Sequence, residues 1–291
     1  MNNESSANSF CFFGKLPQYP DFIRYKSSSE EFIIFDNWLQ RGIATAKQDL
    51  GSSWKDIYSN SQNVDFFFPV KNSEYILSGT FHPSSDRSGR QFPFVVFSEL
   101  PKSFFNPNQA GTFPLILNSV FYRAKQLHSV ASKTSEINDI VNEFNKTEVR
   151  LNSASAAENI LNEYLENTTL NDFLSRTKIE TSLSERVELS DSGSIALRFI
   201  SDDENNNFDT GFAIYFSFVL YNRSNSMPYF FKTSKSDEKV ELFIYFNHPD
   251  AAEFTKLISG GRSTDKIISS LLNNNNPHIS LKDFIDENRL H

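Results

Sequence analysis

Early in the chain, apolar residues recur three or four positions apart, which places them on one face of a helix. These residues are Phe32, Phe35, Leu39, Ile43, Ala46 and Leu50. Ser28 and Glu31 have capping-box spacing before the first of them, and Gly51 stands where a helix often ends on glycine. The pattern therefore predicts a long amphipathic helix that covers a sheet.

Short apolar runs bounded by polar turn residues predict the strands of that sheet. They span residues 10–13, 64–70, 75–81, 92–97, 195–200, 211–221 and 240–246. The long apolar run at 211–221 is typical of a strand that is covered on both faces. Further helices are predicted after Pro114, through much of the polar segment 129–189, at 250–258, at 264–272 and from Ser280.

Helices before, between and after the buried strands predict an α/β fold. We expect a three-layer α/β/α sandwich with a mixed, largely antiparallel sheet. Neither half has enough strands to bury its helices alone, so residues 10–272 are predicted to form one domain, with lobes at 10–128 and 129–272. Residues 1–9 are predicted to be a disordered tail, and 273–291 a linker and a short terminal helix. Two independent domains that meet near residue 130 are the alternative.

Composition narrows the class of protein. The chain has 291 residues and a net charge of -8, which argues against nucleic-acid binding because that requires a basic surface. Cys11 is the only cysteine, so no intramolecular disulfide forms, as is common in a reducing compartment. The first nine residues lack the basic start of a secretory signal, and no apolar run reaches the roughly 18 residues of a membrane helix. We therefore expect a cytoplasmic protein.

Two polar segments combine charge with glycine and proline beside aromatic runs. One runs from Gly14-Lys15-Leu16-Pro17 to Asp21-Phe22-Ile23-Arg24, and the other from Pro83 to Pro93. Each is predicted to be a charged loop held rigidly at the end of a buried strand, and two such loops can make one site. On an acidic protein, their cluster of basic residues predicts a binding site for an acidic or phosphorylated partner. The basic residues are Lys15, Arg24, Arg87 and Arg90.

A purely structural interpretation of both loops stays open. Asp21 and Arg24 have the spacing of a local ion pair on a turn. Residues 86–89 have the composition of a tight turn in which aspartate accepts backbone hydrogen bonds and glycine takes a positive φ. Asp86 is alternatively a supporting residue that positions Arg87 or Arg90.

Patterns of catalytic residues are not found. A P-loop would need glycine where Ser9 stands and a hydroxyl residue where Leu16 stands. The sequence has no nucleophile elbow, and its five histidines lack the spacing of a metal site. His82 is a weak candidate for a general base, against a partly exposed loop residue, and Cys11 is expected to be buried and inert. We predict no catalytic residue, no metal and no cofactor.

The two charged segments, with Trp38-Leu39 and the long helix between them, resemble the TagF family of type VI secretion accessory proteins. The resemblance extends from about Phe10 to Pro101. It implies an α/β fold and a non-enzymatic, post-translational repressor of type VI secretion that binds the forkhead-associated scaffold protein of the apparatus. We expect neither nucleic-acid binding nor membrane insertion. The predicted partner-binding residues are Lys15, Asp21, Arg24, Asp86, Arg87 and Arg90.

Two other functions stay open at this point. One is a structural or assembly component of the secretion machine. The other is a hydrolase such as a phosphatase, because some TagF proteins are fused to a phosphatase domain; this chain lacks the cluster of metal-binding aspartates of such a domain.

Overall fold

The computed structural model describes residues 9–177, 180–181, 194–200, 206–220, 227–234, 239–259 and 278–288. They divide into two compact units. The first takes the described residues within Met1–Phe104, Ser119–Leu151 and Pro249–Gly260, and the second takes those within Phe105–Asn118, Asn152–His248 and Gly261–His291. The tail at 1–8, the helix at 264–272 and the linker at 273–277 lie outside the described residues. One continuous domain over 10–272 stays a prediction.

The strands of the first unit form an antiparallel sheet. They are β1 (Cys11–Gly14), β2 (Ile23–Tyr25), β3 (Val64–Pro69), β4 (Tyr75–His82) and β5 (Phe94–Pro101), in the order β2-β1-β5-β4-β3. All except β2 were expected from the apolar runs. β2 has only three residues, and its ends are half-buried while Arg24 is exposed, so it carries no apolar run to detect.

The helices of the first unit are α1 (Glu30–Leu50), α2 (Trp54–Ser59), part of α3 (Phe113–Lys133), α4 (Ile137–Lys146) and α8 (Ala251–Ser259). α1 lies on one face of the sheet, where Phe35 stacks on Phe66 with ring centroids 4.6 Å apart. α4 lies on the other face, where the Phe144 ring meets Phe12 edge-on at 4.8 Å. Helices thus cover both faces of the sheet of this unit, and the predicted α/β fold class is confirmed.

Local sequence explains the bounds of α1. The Ser29 hydroxyl accepts a hydrogen bond from the Phe32 amide at 3.1 Å, so the helix cap is Ser29 and not the predicted Ser28. At the other end, Gly51 takes a φ of 51° and its amide donates to the Lys47 carbonyl. The predicted inner face is buried from Phe32 to Ala46.

The second unit contains a short 3-10 helix (Pro107–Thr112) and the helices α5 (Ala154–Asn167), α6 (Leu170–Thr177), α7 (Asn206–Leu220) and α9 (Leu281–Asn288). Its sheet has the order β8-β9-β7-β6, with β6 at Glu180–Thr181, β7 at Ser194–Ile200, β8 at Tyr229–Ser234 and β9 at Lys239–Tyr245. Each neighbouring pair in that order is antiparallel.

The predicted strand at 211–221 is wrong, because residues 206–220 form α7. Phe212 and Phe216, one helical turn apart, both pack against Phe284 of α9 in the core of this unit. Periodicity does not separate a buried strand from a helix that is apolar on most of its surface. The run is longer than most strands, and that length was the signal that favours a helix.

Candidate partner-binding site

Sheet register brings the two charged loops to the same end of the first unit. β1 ends at Gly14, which pairs with Phe94, and Phe94 in turn pairs with His82 at the end of β4. The first loop (residues 15–22) and the second loop (residues 83–93) therefore begin side by side. The Arg87 amide of the second loop donates a 2.8 Å hydrogen bond to the Tyr19 carbonyl of the first.

Gly14 is the point where the first loop leaves the sheet. Its φ is 135°, and a Cβ at this position would lie 2.1 Å from the Pro93 carbonyl oxygen. The close neighbours are backbone atoms, so they do not move aside as the end of a flexible side chain would. Only glycine fits between the two loops here.

We expect Gly14→Ala to destabilise the protein by more than the roughly 1–3 kcal/mol of an unfavourable backbone conformation alone, because it adds a backbone clash. Gly89→Ala is the matched control: Gly89 has a φ of 82°, but no atom lies within 4 Å of the position that an added Cβ would take. Urea unfolding of both variants measures the difference. Equal losses of unfolding free energy would show that the approach to Pro93 is unimportant.

Asp86 joins the two loops. Its Oδ2 atom accepts hydrogen bonds from Lys15 Nζ at 2.8 Å and from Arg90 Nε at 2.7 Å. Its Oδ1 atom accepts from the amides of Ser88 and Arg90 and from the Ser88 hydroxyl. Arg90 then reaches the first loop, where its Nη2 atom donates to the Pro20 carbonyl at 2.9 Å. The carboxylate is thus the shared anchor of both loops.

The environment of Asp86 keeps it ionised. The residue is only 2% exposed, and burial by itself would raise the pKa of its carboxyl. Hydrogen bonds from Lys15, Ser88 and Arg90 outweigh burial and hold that pKa well below its usual range. The negative charge that fixes the loops is therefore present throughout the neutral pH range.

α2 supports the second loop from the side. The buried Tyr58 hydroxyl accepts a hydrogen bond from the Ser84 amide at 3.2 Å. Gln91 donates to the Lys55 carbonyl and to the Ser59 hydroxyl. Both ends of the loop are thus held, as expected of a rigid loop.

The six predicted residues separate into two groups. Lys15 and Asp86 form a buried ion pair, which joins the first loop to the second. Asp21, Arg24, Arg87 and Arg90 are exposed. Asp86 positions Arg90, which is one of the alternatives left open by the sequence. The role of all six in partner binding stays a prediction.

The ion pair expected between Asp21 and Arg24 is not formed. Asp21 instead lies 3.7 Å from Arg90 Nη2. Within the described part of the chain, no carboxylate pairs with Arg24, Arg87 or Lys47. These three cations are available to a ligand.

A pocket of about 1060 Å³ opens beside the loops, within the first unit. Its aromatic lining consists of Phe13, Phe22, Trp54 and Phe92. Its charged lining consists of Lys15, Asp21, Arg24, Lys47 and Arg90. We call it the aromatic–basic pocket. Sequence reasoning missed the contributions of Lys47 and Trp54, since α1 and α2 carry no local motif that marks them.

His82 is not the partly exposed loop residue that the sequence suggested. It is 4% exposed at the end of β4 and stacks flat on His128 of α3, with ring centroids 3.5 Å apart. Burial lowers the pKa of His82 to about 2, helped by the nearby His128 and Lys125, and burial lowers the pKa of His128 to about 4. Both imidazoles are therefore neutral near pH 7.

The structure also bears on Cys11, on metal binding and on membrane-spanning helices. Cys11 is buried as expected, and burial, followed by the charge of Glu99, raises the pKa of its thiol to about 12. In the described ranges, no group of three or more His, Cys, Asp or Glu side chains has the arrangement of a metal site. None of the described helices is both long and apolar enough to cross a membrane.

Comparison with known proteins agrees with this fold. The first unit defines an α/β protein. Residues 11–148, which include both loops of the site, match the model of the TagF N-terminal domain, which is type VI secretion system-associated. Residues 11–148 thus belong to the TagF family, and the resemblance drawn from the two loop motifs is confirmed. The family indicates a type VI secretion-associated protein.

One solved structure extends the comparison to most of the chain. PA0076 from Pseudomonas aeruginosa PAO1 is 18% identical, and the match covers 89% of this chain and 98% of that chain with a TM-score of 0.53. At this identity the likeness shows a shared fold alone. Among curated proteins, no match was found.

Proposed function

We propose that this chain is a non-enzymatic regulatory protein that represses type VI secretion after translation, in the cytoplasm. It does so by binding the forkhead-associated scaffold protein of the apparatus. The observation that carries the proposal is the two-loop surface of a protein of net charge -8. A buried carboxylate fixes both loops there, and Arg24 and Arg87 are exposed with no acidic partner among the described residues.

Rigid loops favour protein binding because little conformational entropy is lost when a partner docks. Both loops are held by hydrogen bonds to Asp86, and the second is also held by α2. Arginine and aromatic side chains are enriched among the residues that dominate binding energy in interfaces. Arg24, Arg87 and the 43% exposed Phe22 provide both kinds at one end of the sheet.

The proposed mechanism is that this protein occupies a binding surface of the scaffold protein. The two-loop surface covers the part of the scaffold protein that must engage the next component of the apparatus, and assembly stops while it is bound. Such a mechanism needs affinity and complementary shape but no catalytic group. It also predicts that repression depends on the amount of this protein relative to the scaffold protein.

Affinity purification of the tagged protein from its native cells tests the proposal, together with secretion of a type VI marker. We expect recovery of the forkhead-associated protein, increased secretion after deletion of the gene, and loss of secretion on overexpression. Recovery of sheath or baseplate subunits, with secretion lost on deletion, would instead indicate a structural component of the machine.

A further inference from the structure

The aromatic–basic pocket has an electrostatic character opposite to that of the whole protein. Lys15 and Arg90 are engaged by Asp86 or Asp21, whereas Arg24 and Lys47 are exposed and, among the described residues, have no acidic partner. Cations on the walls of a concave surface raise the local concentration of an anionic ligand, even when the net charge of the protein is negative. The pocket therefore favours a ligand with several negative charges.

Aromatic side chains give the same pocket an apolar floor. Phe22 stacks on Phe13 at 5.2 Å and meets Phe92 edge-on at 4.9 Å, and it is 43% exposed. On the other side, the Lys47 ammonium lies 5.6 Å from the centre of the Trp54 ring. Trp54 is only 7% exposed, so Phe22 supplies the exposed aromatic surface, which contact with a large apolar side chain would stabilise. Charge and apolar surface thus occur together.

The arrangement of the cations favours carboxylates over phosphate. A phosphate group is typically bound by converging donors, with arginine forks that are free to bind in a bidentate way. Here the Nε atom of Arg90 is used by Asp86 and its Nη2 atom by the Pro20 carbonyl. Arg24 lies on β2 and Lys47 near the end of α1, on separate elements. Arg24 thus has the one free arginine fork among the residues that line the pocket, and a single free fork with a lysine from another element favours several carboxylates over one phosphate group.

We infer that the aromatic–basic pocket binds an acidic peptide segment of a partner protein, with one large apolar side chain against Phe22 and flanking carboxylates near Arg24 and Lys47. This inference rests on the proposed function, since the segment belongs to the bound partner. It adds a defined chemistry: the pocket selects glutamate- or aspartate-rich sequence around an aromatic or large aliphatic residue.

Fluorescence titration of the purified protein tests the inference. The probe is a synthetic peptide with a central phenylalanine flanked on each side by two glutamates. Trp54 lines the pocket at 7% exposure with the Lys47 ammonium over its ring, and Trp38 is 1% exposed in the core, so a ligand that draws Lys47 away is expected to change the emission of Trp54. The change should saturate, weaken when salt is raised, and disappear in Trp54→Phe.

Matched variants assign the effect to the pocket. We expect Arg24→Glu and Lys47→Glu each to weaken the affinity for the peptide by about tenfold or more, since each reverses a charge beside the ligand. Lys71→Glu makes the same change in net charge in the exposed turn after β3, at the opposite end of the sheet, and should leave affinity within about twofold. A peptide with alanine in place of phenylalanine should also bind about tenfold more weakly.

Several outcomes would overturn the inference. The first is the absence of a saturable change with the folded wild-type protein. The second is equal affinity for the alanine peptide, and the third is tighter binding of a phosphothreonine peptide than of the glutamate peptide. If the scaffold protein binds wild type, Arg24→Glu and Lys47→Glu equally, the pocket assignment fails while the proposed function stands. If the peptide binds as expected but the scaffold protein does not bind wild type, the proposed function fails instead.

Discussion

Replacing Asp86 with alanine is expected to cause one of the largest losses of stability of any single substitution in the two loops. The substitution leaves the Lys15 ammonium, in a residue only 5% exposed, without its counter-charge. A buried charge that loses its partner costs about 3–5 kcal/mol. Arg90 and the Ser88 amide lose the same acceptor, so the second loop also loses its local turn.

Urea unfolding followed by circular dichroism measures this loss. Asp56→Ala is a suitable control, because Asp56 is an exposed aspartate in α2 and, among the described residues, its carboxylate forms no ion pair. We expect it to change stability by about 0.5 kcal/mol or less. A similar small effect for Asp86→Ala would mean that the carboxylate does not hold the loops together.

The second large effect is a fall in stability between pH 7 and pH 5. His82 and His128 have folded-state pKa values of about 2 and about 4, below the ordinary value of about 6.5 that each has in the unfolded chain. Below pH 6.5 the unfolded chain therefore binds protons that the folded protein does not. The contribution of the two neutral histidines to the free energy of unfolding is fully present above that pH. It decreases as pH falls towards the folded pKa values, by about 2 kcal/mol for each histidine at pH 5.

Urea unfolding of wild type and His82→Phe at pH 7 and pH 5 tests this dependence. Phenylalanine keeps an aromatic ring on His128 but does not titrate, so the variant should lose less stability on acidification than wild type. Burial raises the pKa of Asp36 and Glu99, which acts with the opposite sign in both proteins and cancels in the comparison. Parallel pH profiles for the two proteins would show that His82 does not titrate on unfolding.

Much of the first unit follows from its sequence. The apolar face of α1 and the strands β1, β3, β4 and β5 have the expected periodicity, and the structure confirms them. Glycine, proline and charge together indicated two rigid loops. Their meeting at one sheet end depends on the register of β1, β5 and β4, which loop composition does not reveal.

The failures have physical causes. At Asp21 a long-range contact replaces the local one, because Asp21 lies near Arg90 rather than Arg24. Asp86 forms the predicted local turn, with Gly89 at a φ of 82°, and in addition binds Lys15, 71 positions away in sequence. Lys47 and Trp54 enter the pocket because α1 and α2 pack beside the loops. The helix at 206–220 was missed because most of its surface is buried, which removes the polar face that normally identifies a helix.

The most direct test of the proposed repressor is calorimetric titration of the purified forkhead-associated scaffold protein into wild type, Arg87→Glu and Lys71→Glu. Arg87 is exposed in the second loop and, in the described part of the chain, its side chain has no acidic partner. We predict that wild type and Lys71→Glu bind with similar affinity and that Arg87→Glu binds at least about tenfold more weakly. No binding by folded wild type, or equal binding by all three proteins, would contradict the claim that the two-loop surface holds the scaffold protein.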